Sequence, residues 1–215
     1  MPLPLVLLHN VSPVLTKRIL NAMSKKTIII TGANTGIGFE AARILCRSGD
    51  KYEVILACRS EEKAQAAVKA IKEESPNADI MFMKLDLASL DSVRQFVDNF
   101  LATGKKLHVL CNNAGMATNF SDNVRHLTKD GFEMTMGTNH FGHFLLTNLL
   151  LDKLKSTAAS DGEARIVVTS SGMHDINGQQ NRRGGPWTLD FLFCLRNYVF
   201  QFNGEEQKKF LTYMC

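Results

Sequence analysis

Three glycines in the run Thr31-Gly32-Ala33-Asn34-Thr35-Gly36-Ile37-Gly38 stand where backbone must approach another group closely. The residues before them, Lys26 to Thr31, form a β-branched run long enough for a strand buried on both faces. The residues after them, Phe39 to Ser48, read as a helix with Ala41, Ala42, Ile44 and Leu45 as its apolar positions, closed by Gly49. A helix N-terminus carries unpaired N–H groups and a partial positive charge, so a glycine turn that feeds one attracts phosphate. Gly32 suits positive φ, and Gly36 and Gly38 leave room for a ligand and for the sheet. The competing reading is a tight turn that binds nothing. It is weakened by the strand and helix that flank the glycines. The phosphate contacts are therefore expected at Gly32, Asn34, Thr35, Gly36, Ile37 and Gly38.

A second position tests that chemistry. At the end of the next strand, an acidic residue suits the ribose hydroxyls of NAD and a basic one suits the extra phosphate of NADP. About 20 residues past the glycines, after the strand Glu53 to Ala57, the chain reads Cys58-Arg59-Ser60. No carboxylate stands there, and Arg59 offers a permanent charge with several donors. This favours NADP, while Glu61 and Glu62 immediately after keep NAD open.

The spacing Thr-Gly-x-x-x-Gly-x-Gly is not the commoner dinucleotide form, and it resembles that of the short-chain dehydrogenase/reductase family. Asn112-Asn113-Ala114-Gly115 resembles the family's Asn-Asn-Ala-Gly signature, and Gly137 to Phe144 resembles its Asn-His-x-Gly-His-Phe segment. Thr128 to Glu133, with the segment from Gly137 to Leu151, looks closest to retinol dehydrogenases and protochlorophyllide-reductase-like members. The resemblance implies an α/β doubly wound parallel sheet of the Rossmann type, with about five strands in the order 3-2-1-4-5. It implies that Asp86, with Leu87, sits at the adenine ring, and that Asn113, Ala114 and Gly115 lie along the nicotinamide-ribose side. It gives catalytic roles to Asn139, which would hold a water on the proton path and kink its helix, and to Ser171, the second of a Ser170-Ser171 pair, which would hold the substrate oxygen. The substrate it implies is an apolar carbonyl or alcohol such as a retinoid. Asp86, with Ser89 nearby, reads equally as a helix N-cap region. His140 and His143 share a helical face, but with no third ligand in view, packing or polar bonding outranks metal binding.

The family's proton donor is a Tyr whose pKa is lowered by a Lys four residues later; a free phenol near pKa 10 is a poor acid at neutral pH. This chain has no Tyr-x-x-x-Lys: Tyr52 is followed four on by Leu56, Tyr198 by Phe202, and Tyr213 by nothing. The expected place follows Phe202-Asn203-Gly204, where the text becomes Glu205-Glu206-Gln207-Lys208-Lys209. The organisation expected is an extension at 1–24, a Rossmann NADP-binding domain at 25–175 and a divergent tail at 176–215, with an altered or truncated C-terminus. The alternative function is NADP binding or interaction without catalysis, or an unstable fragment. Without the family's later elements, apolar sheet surface is expected to be uncovered, with the aromatic stretch Trp187 to Phe202 either folding over it or staying exposed.

The remaining elements follow from periodicity: helices at Glu61–Glu74, Ser89–Leu101 and within Gly131–Leu154, and strands at Ile80–Leu85, Leu107–Leu110 and Ala164–Thr169. With 215 residues, 45% hydrophobic and 21% charged, the chain suits one domain with a sizeable core. The net charge of +4 is scattered, which argues against a nucleic-acid partner. Five cysteines without Cys-x-x-Cys spacing read as reduced thiols in a cytosol-facing compartment. Leu3 to Leu8 is apolar but too short to span a bilayer, and Val14 to Met23 admits peripheral contact with a membrane surface. Homo-oligomer formation stays open.

Overall fold

The computed structural model describes residues 25–117, 124–171 and 195–203, so the expectations for residues 1–24 and for Trp187 to Cys194 lie outside them. The β-branched run forms β1 (Lys26–Thr31), the centre of the sheet. It is buried from Thr27 to Thr31 because both its faces are covered. Ile28 and Ile30 enter one core and Ile29 the other. A strand in the middle of a parallel sheet reads as a continuous apolar run for this reason.

β2 (Tyr52–Cys58), β3 (Asp79–Lys84), β4 (Val109–Asn112) and β5 (Glu163–Ser171) are parallel to it, in the order β3-β2-β1-β4-β5. This is the expected doubly wound order. On one face lie α1 (Gly36–Cys46) and α2 (Glu61–Glu74), which close a core of Ile30, Val54, Leu56, Ala64 and Ile71. On the other lie α3 (Leu90–Ala102) and α4 (Gly142–Asp161), whose Phe96, Phe100, Leu146, Leu150 and Leu154 are fully buried. Each such side chain stabilises the fold by about 1.5–3 kcal/mol through burial alone. Ser60 and Ser89 cap α2 and α3 by accepting from the Lys63 and Ser92 amides.

Three features depart from the sequence expectation. First, α1 begins at Gly36 rather than Phe39, so the last two glycines of the motif belong to its first turn. Glycine disfavours helix interiors but is tolerated at the start, where side chains contribute little to the turn. Second, the long helix is compound: a short turn (Met134–Met136) and a π-helical turn (Gly137–Phe141) lead into α4. Third, β6 (Leu195–Asn203) pairs antiparallel with β5, from Glu163 opposite Asn203 to Ser171 opposite Leu195. Its sequence, with Tyr198, Val199, Phe200 and Phe202, suits a strand.

On the α1 side, β4 and β5 border a groove of about 270 Å³ lined by Ile28, Ile30, Leu45, Val109, Cys111 and Val167. Val109, Cys111 and Val167 are half-buried, in keeping with the expected uncovered sheet surface.

Candidate functional site

The carboxyl ends of the parallel strands share one edge. There, β1 is followed by a chain that turns toward β2, while β4 lies on its other side, so the crevice of the switch point opens between β1 and β4. The glycine turn is built across it. Gly32 has φ 65°, and a Cβ there would meet Ala114 at 2.9 Å. Gly38 has the Asn113 amide nitrogen 2.5 Å from where a Cβ would stand. These two glycines answer to the protein's own packing. Gly36, at φ 60°, has open space on its Cβ side.

The amides of the turn divide in two. The Gly32 amide donates to the Ala57 carbonyl at 2.9 Å; burial pushes the neighbouring Cys58 thiol up, and the backbone N–H groups of Ala33, Asn34 and Gly32 pull the other way. Past Thr35, no side chain caps α1, and the Gly36, Ile37 and Gly38 amides make no hydrogen bond to another segment among the described residues. Thr35, Gly36 and Ile37 are exposed, Ile37 at 53%. An uncapped helix start with open space over it is the donor set a pyrophosphate requires, so these residues fit the expected dinucleotide.

Thr31 closes β1 and ties the turn to β4. Its hydroxyl accepts from the Asn113 and Ala114 amides at 2.9 and 2.8 Å, and the Asn113 side-chain amide donates to the Thr31 carbonyl at 2.9 Å. Asn112, 3% exposed, donates to the Thr147 hydroxyl on α4 at 2.9 Å, and its Oδ1 has no partner among the described residues.

The expected site residues fall as follows. Arg59 is exposed just past β2; its carbonyl accepts from Lys84, and its guanidinium makes no hydrogen bond or ion pair among the described residues. Asp86 accepts from the Ala88 amide at 3.1 Å and so shapes the turn before α3, whose N-cap is Ser89. Leu87 is buried against Gly142, whose missing Cβ leaves room for the Leu87 carbonyl. Asn139 lies in the π-helical turn that leads into α4. Its side chain grips the loop after Gly115 at two points, accepting from the Met116 amide at 2.9 Å and donating to the Met116 carbonyl at 2.7 Å. Ser171 ends β5 three residues beyond Val168, the register partner of Asn112.

The two histidines do not converge. The His140 ring meets Phe141 and Phe144, while His143 is buried and reaches Thr31. The sequence reading missed Thr31, Met116 and His143 as working members of this edge. Thr31 was inside the motif and His143 one helical turn from Asn139, but only the fold brings them together. Burial pushes the thiols of Cys46 and Cys111 up to about 11, so both stay protonated and inert at neutral pH. Among the described residues, no helix is long and apolar enough to cross a membrane.

Residues 26–182 match the family model for short chain dehydrogenases. Retinol dehydrogenase 12 of Mus musculus is 45% identical over 164 residues, 72% of this chain and 48% of that protein. The chloroplastic protochlorophyllide reductase of Chlamydomonas reinhardtii is 42% identical over 168 residues, 78% of this chain and 40% of that protein. The chain spans about half the length of the curated relatives it matches. An alcohol dehydrogenase from the archaeon Thermococcus sibiricus, solved in complex with 5-hydroxy-NADP, superposes with a TM-score of 0.52 at 27% identity, covering 63% of this chain and 55% of that one.

Proposed function

The chain belongs to the short-chain dehydrogenase family, and on that premise we propose that its carboxyl-edge crevice binds NADP and serves oxidoreduction of an apolar carbonyl or alcohol of the retinoid kind. The observation that carries this reading is the uncapped, open start of α1 beside an exposed Arg59. The relative named retinol dehydrogenase supports the substrate class, and the neighbour solved with 5-hydroxy-NADP supports the cofactor.

When bound, the nicotinamide ring supplies or accepts the hydride. The protein's part is to hold and orient. The outward amides of Gly36, Ile37 and Gly38 donate to the pyrophosphate, and Gly32, Asn34 and Thr35 shape the turn that presents them. Arg59 pairs with the extra phosphate that distinguishes NADP. Asp86 and Leu87 border the adenine, and Asn113, Ala114 and Gly115 border the nicotinamide ribose. Ser171 donates to the substrate oxygen. Asn139, by fixing Met116, sets the loop on the substrate side and holds the relay water.

The 215 residues contain no Tyr-x-x-x-Lys, so no residue in them is assigned the substrate proton. That favours a second reading for these residues by themselves: NADP binding without turnover. In this reading the protein quenches or shifts NADPH fluorescence on titration yet oxidises no NADPH when retinal is added.

The deciding experiment is a fluorescence titration with NADPH and NADH. NADPH is expected to bind the tighter of the two, and Arg59→Ala to weaken NADPH by roughly 10–100-fold while leaving NADH unchanged, the range for one lost charged hydrogen-bond set. A folded protein that ignores both dinucleotides overturns the proposal. Equal loss for both dinucleotides overturns the role of Arg59.

A further inference from the structure

His143 is 3% exposed, and both its ring nitrogens have partners. Nδ1 lies 3.0 Å from the Asn139 backbone carbonyl, and Nε2 lies 2.9 Å from the Thr31 hydroxyl. A carbonyl only accepts, so Nδ1 carries the proton. Nε2 is then a bare acceptor, and the Thr31 hydroxyl must donate to it. Thr31 has little alternative. Its oxygen already accepts from the Asn113 and Ala114 amides, and its other available acceptor, the Cys111 carbonyl, stands at 3.4 Å. Every donor and acceptor in the chain from the Asn113 and Ala114 amides through Thr31 and His143 to the Asn139 carbonyl therefore has one role. Burial, the dominant cause, pushes His143 down to about 4, which keeps the ring neutral in this arrangement.

The chain of bonds crosses three segments: the ends of β1 and β4, which strand pairing already holds side by side, and the turn that leads into α4, which it joins to them. It starts in the π-helical turn, where the Asn139 carbonyl faces the His143 ring. It ends on Ala114, which sits so close to Gly32 that no side chain fits between them. A shift of Ala114 is thus a shift of the glycine turn.

We infer that His143 is a positioning residue: held as the neutral Nδ1–H tautomer, it ties the Asn139 turn to Thr31 and, through Thr31, fixes the Asn113–Ala114 backbone against the glycine turn. Its effect on ligand affinity rests on the dinucleotide binding proposed above; its tautomer does not.

Two measurements test it. In two-bond 1H–15N spectra of the folded wild-type protein at neutral pH, the His143 ring, assigned by its loss in His143→Asn, is expected to show a protonated Nδ1 and a bare Nε2. The opposite tautomer, or a doubly protonated ring, overturns the inference whatever the ligand data. The second is a set of NADPH titrations on variants whose circular dichroism matches the wild type. His143→Asn keeps a short amide that donates to the Asn139 carbonyl but abandons Thr31, and is expected to weaken NADPH about tenfold. His143→Gln reaches Thr31 with its carbonyl oxygen and is expected to restore affinity to within about threefold of wild type. Thr31→Val also strips the acceptor from the Asn113 and Ala114 amides, so it should weaken NADPH more than His143→Asn does, and the double variant no further than Thr31→Val alone. Additive losses, or unchanged binding by folded His143→Asn, overturn the inference. If His143→Asn does not fold, Thr31→Val, His143→Gln and the wild-type tautomer decide. A folded wild type that shows the expected tautomer but binds no NADPH sinks the dinucleotide proposal and leaves the tautomer assignment standing.

Discussion

His143 and Asp161 set two separate acid thresholds for this protein. Burial holds His143 at about 4, below the ordinary 6.5, whereas the unfolded chain regains the ordinary value. Between those values the unfolded state binds more protons, so the stability His143 contributes is complete above about pH 6.5 and is lost as pH falls toward 4. A shift of that size corresponds to on the order of 3 kcal/mol. Burial alone would raise Asp161, but hydrogen bonds from Lys106, Ser160 and His108 outweigh it and hold the carboxylate at about 2, below its ordinary 3.8. Its contribution is therefore complete above about pH 3.8 and is lost as pH falls toward 2. Urea midpoints measured from pH 7.5 down to 4 are expected to fall in the wild type, and to fall less in His143→Gln; parallel curves contradict the assignment. At this scale the sequence disclosed residue types better than partners. Arg59 and the three glycines, with a strand before the glycines and a helix after them, raise the expectation of phosphate chemistry in the sequence. Thr31, Asn113 and His143 meet only because β1, β4 and α4 meet, and no local pattern encodes that meeting.

Among the elements, those with a regular period were legible, and those that break period for a close approach were not. β1 and α2 have the bounds expected from sequence, Lys26–Thr31 and Glu61–Glu74, because one is a β-branched run and the other has Ala64, Ala67, Val68 and Ile71 on one face between Ser60 and Ser75. The π-helical turn could not be read from periodicity, because it barely changes the apolar spacing; only the family resemblance put an irregularity at Asn139. Where the turn leads into α4 the chain passes close to Leu87, and a Cβ on Gly142 would overlap the Leu87 carbonyl. Gly142→Ala tests this. On a free helix surface, alanine would stabilise by about 1 kcal/mol. Here the added Cβ would occupy the space of the Leu87 carbonyl, and overpacking is expected to reverse the sign, with a net loss of about 1–3 kcal/mol in urea denaturation. A neutral or stabilised variant would show that α4 yields without cost. β6 was unreadable as a partner of β5 for a different reason: alternation marks a strand but does not say which edge it joins.

Ligand binding at one edge of a single cooperative sheet must be felt throughout the molecule. Nearly all of the sheet's buried apolar side chains belong to two cores that share β1 and β2, so the turn after β1 cannot be ordered or lost independently of either. Anything that binds the folded state alone stabilises the whole by mass action, about 2.7 kcal/mol at a hundred times the dissociation constant. For a chain of this size each kcal/mol moves the melting temperature by roughly 2–4 °C. On the proposed reading, saturating NADPH is thus expected to raise the melting temperature by about 5–10 °C, and NADH at the same concentration by less, since Arg59 would gain a partner only from the extra phosphate. The protection from hydrogen exchange should extend to β2 and α2, which share a core with the turn, and not stop at Gly32 to Gly38. A shift confined to amides of the turn, with no change in melting temperature at saturating NADPH, would contradict binding to the folded state alone and would overturn the proposed dinucleotide site.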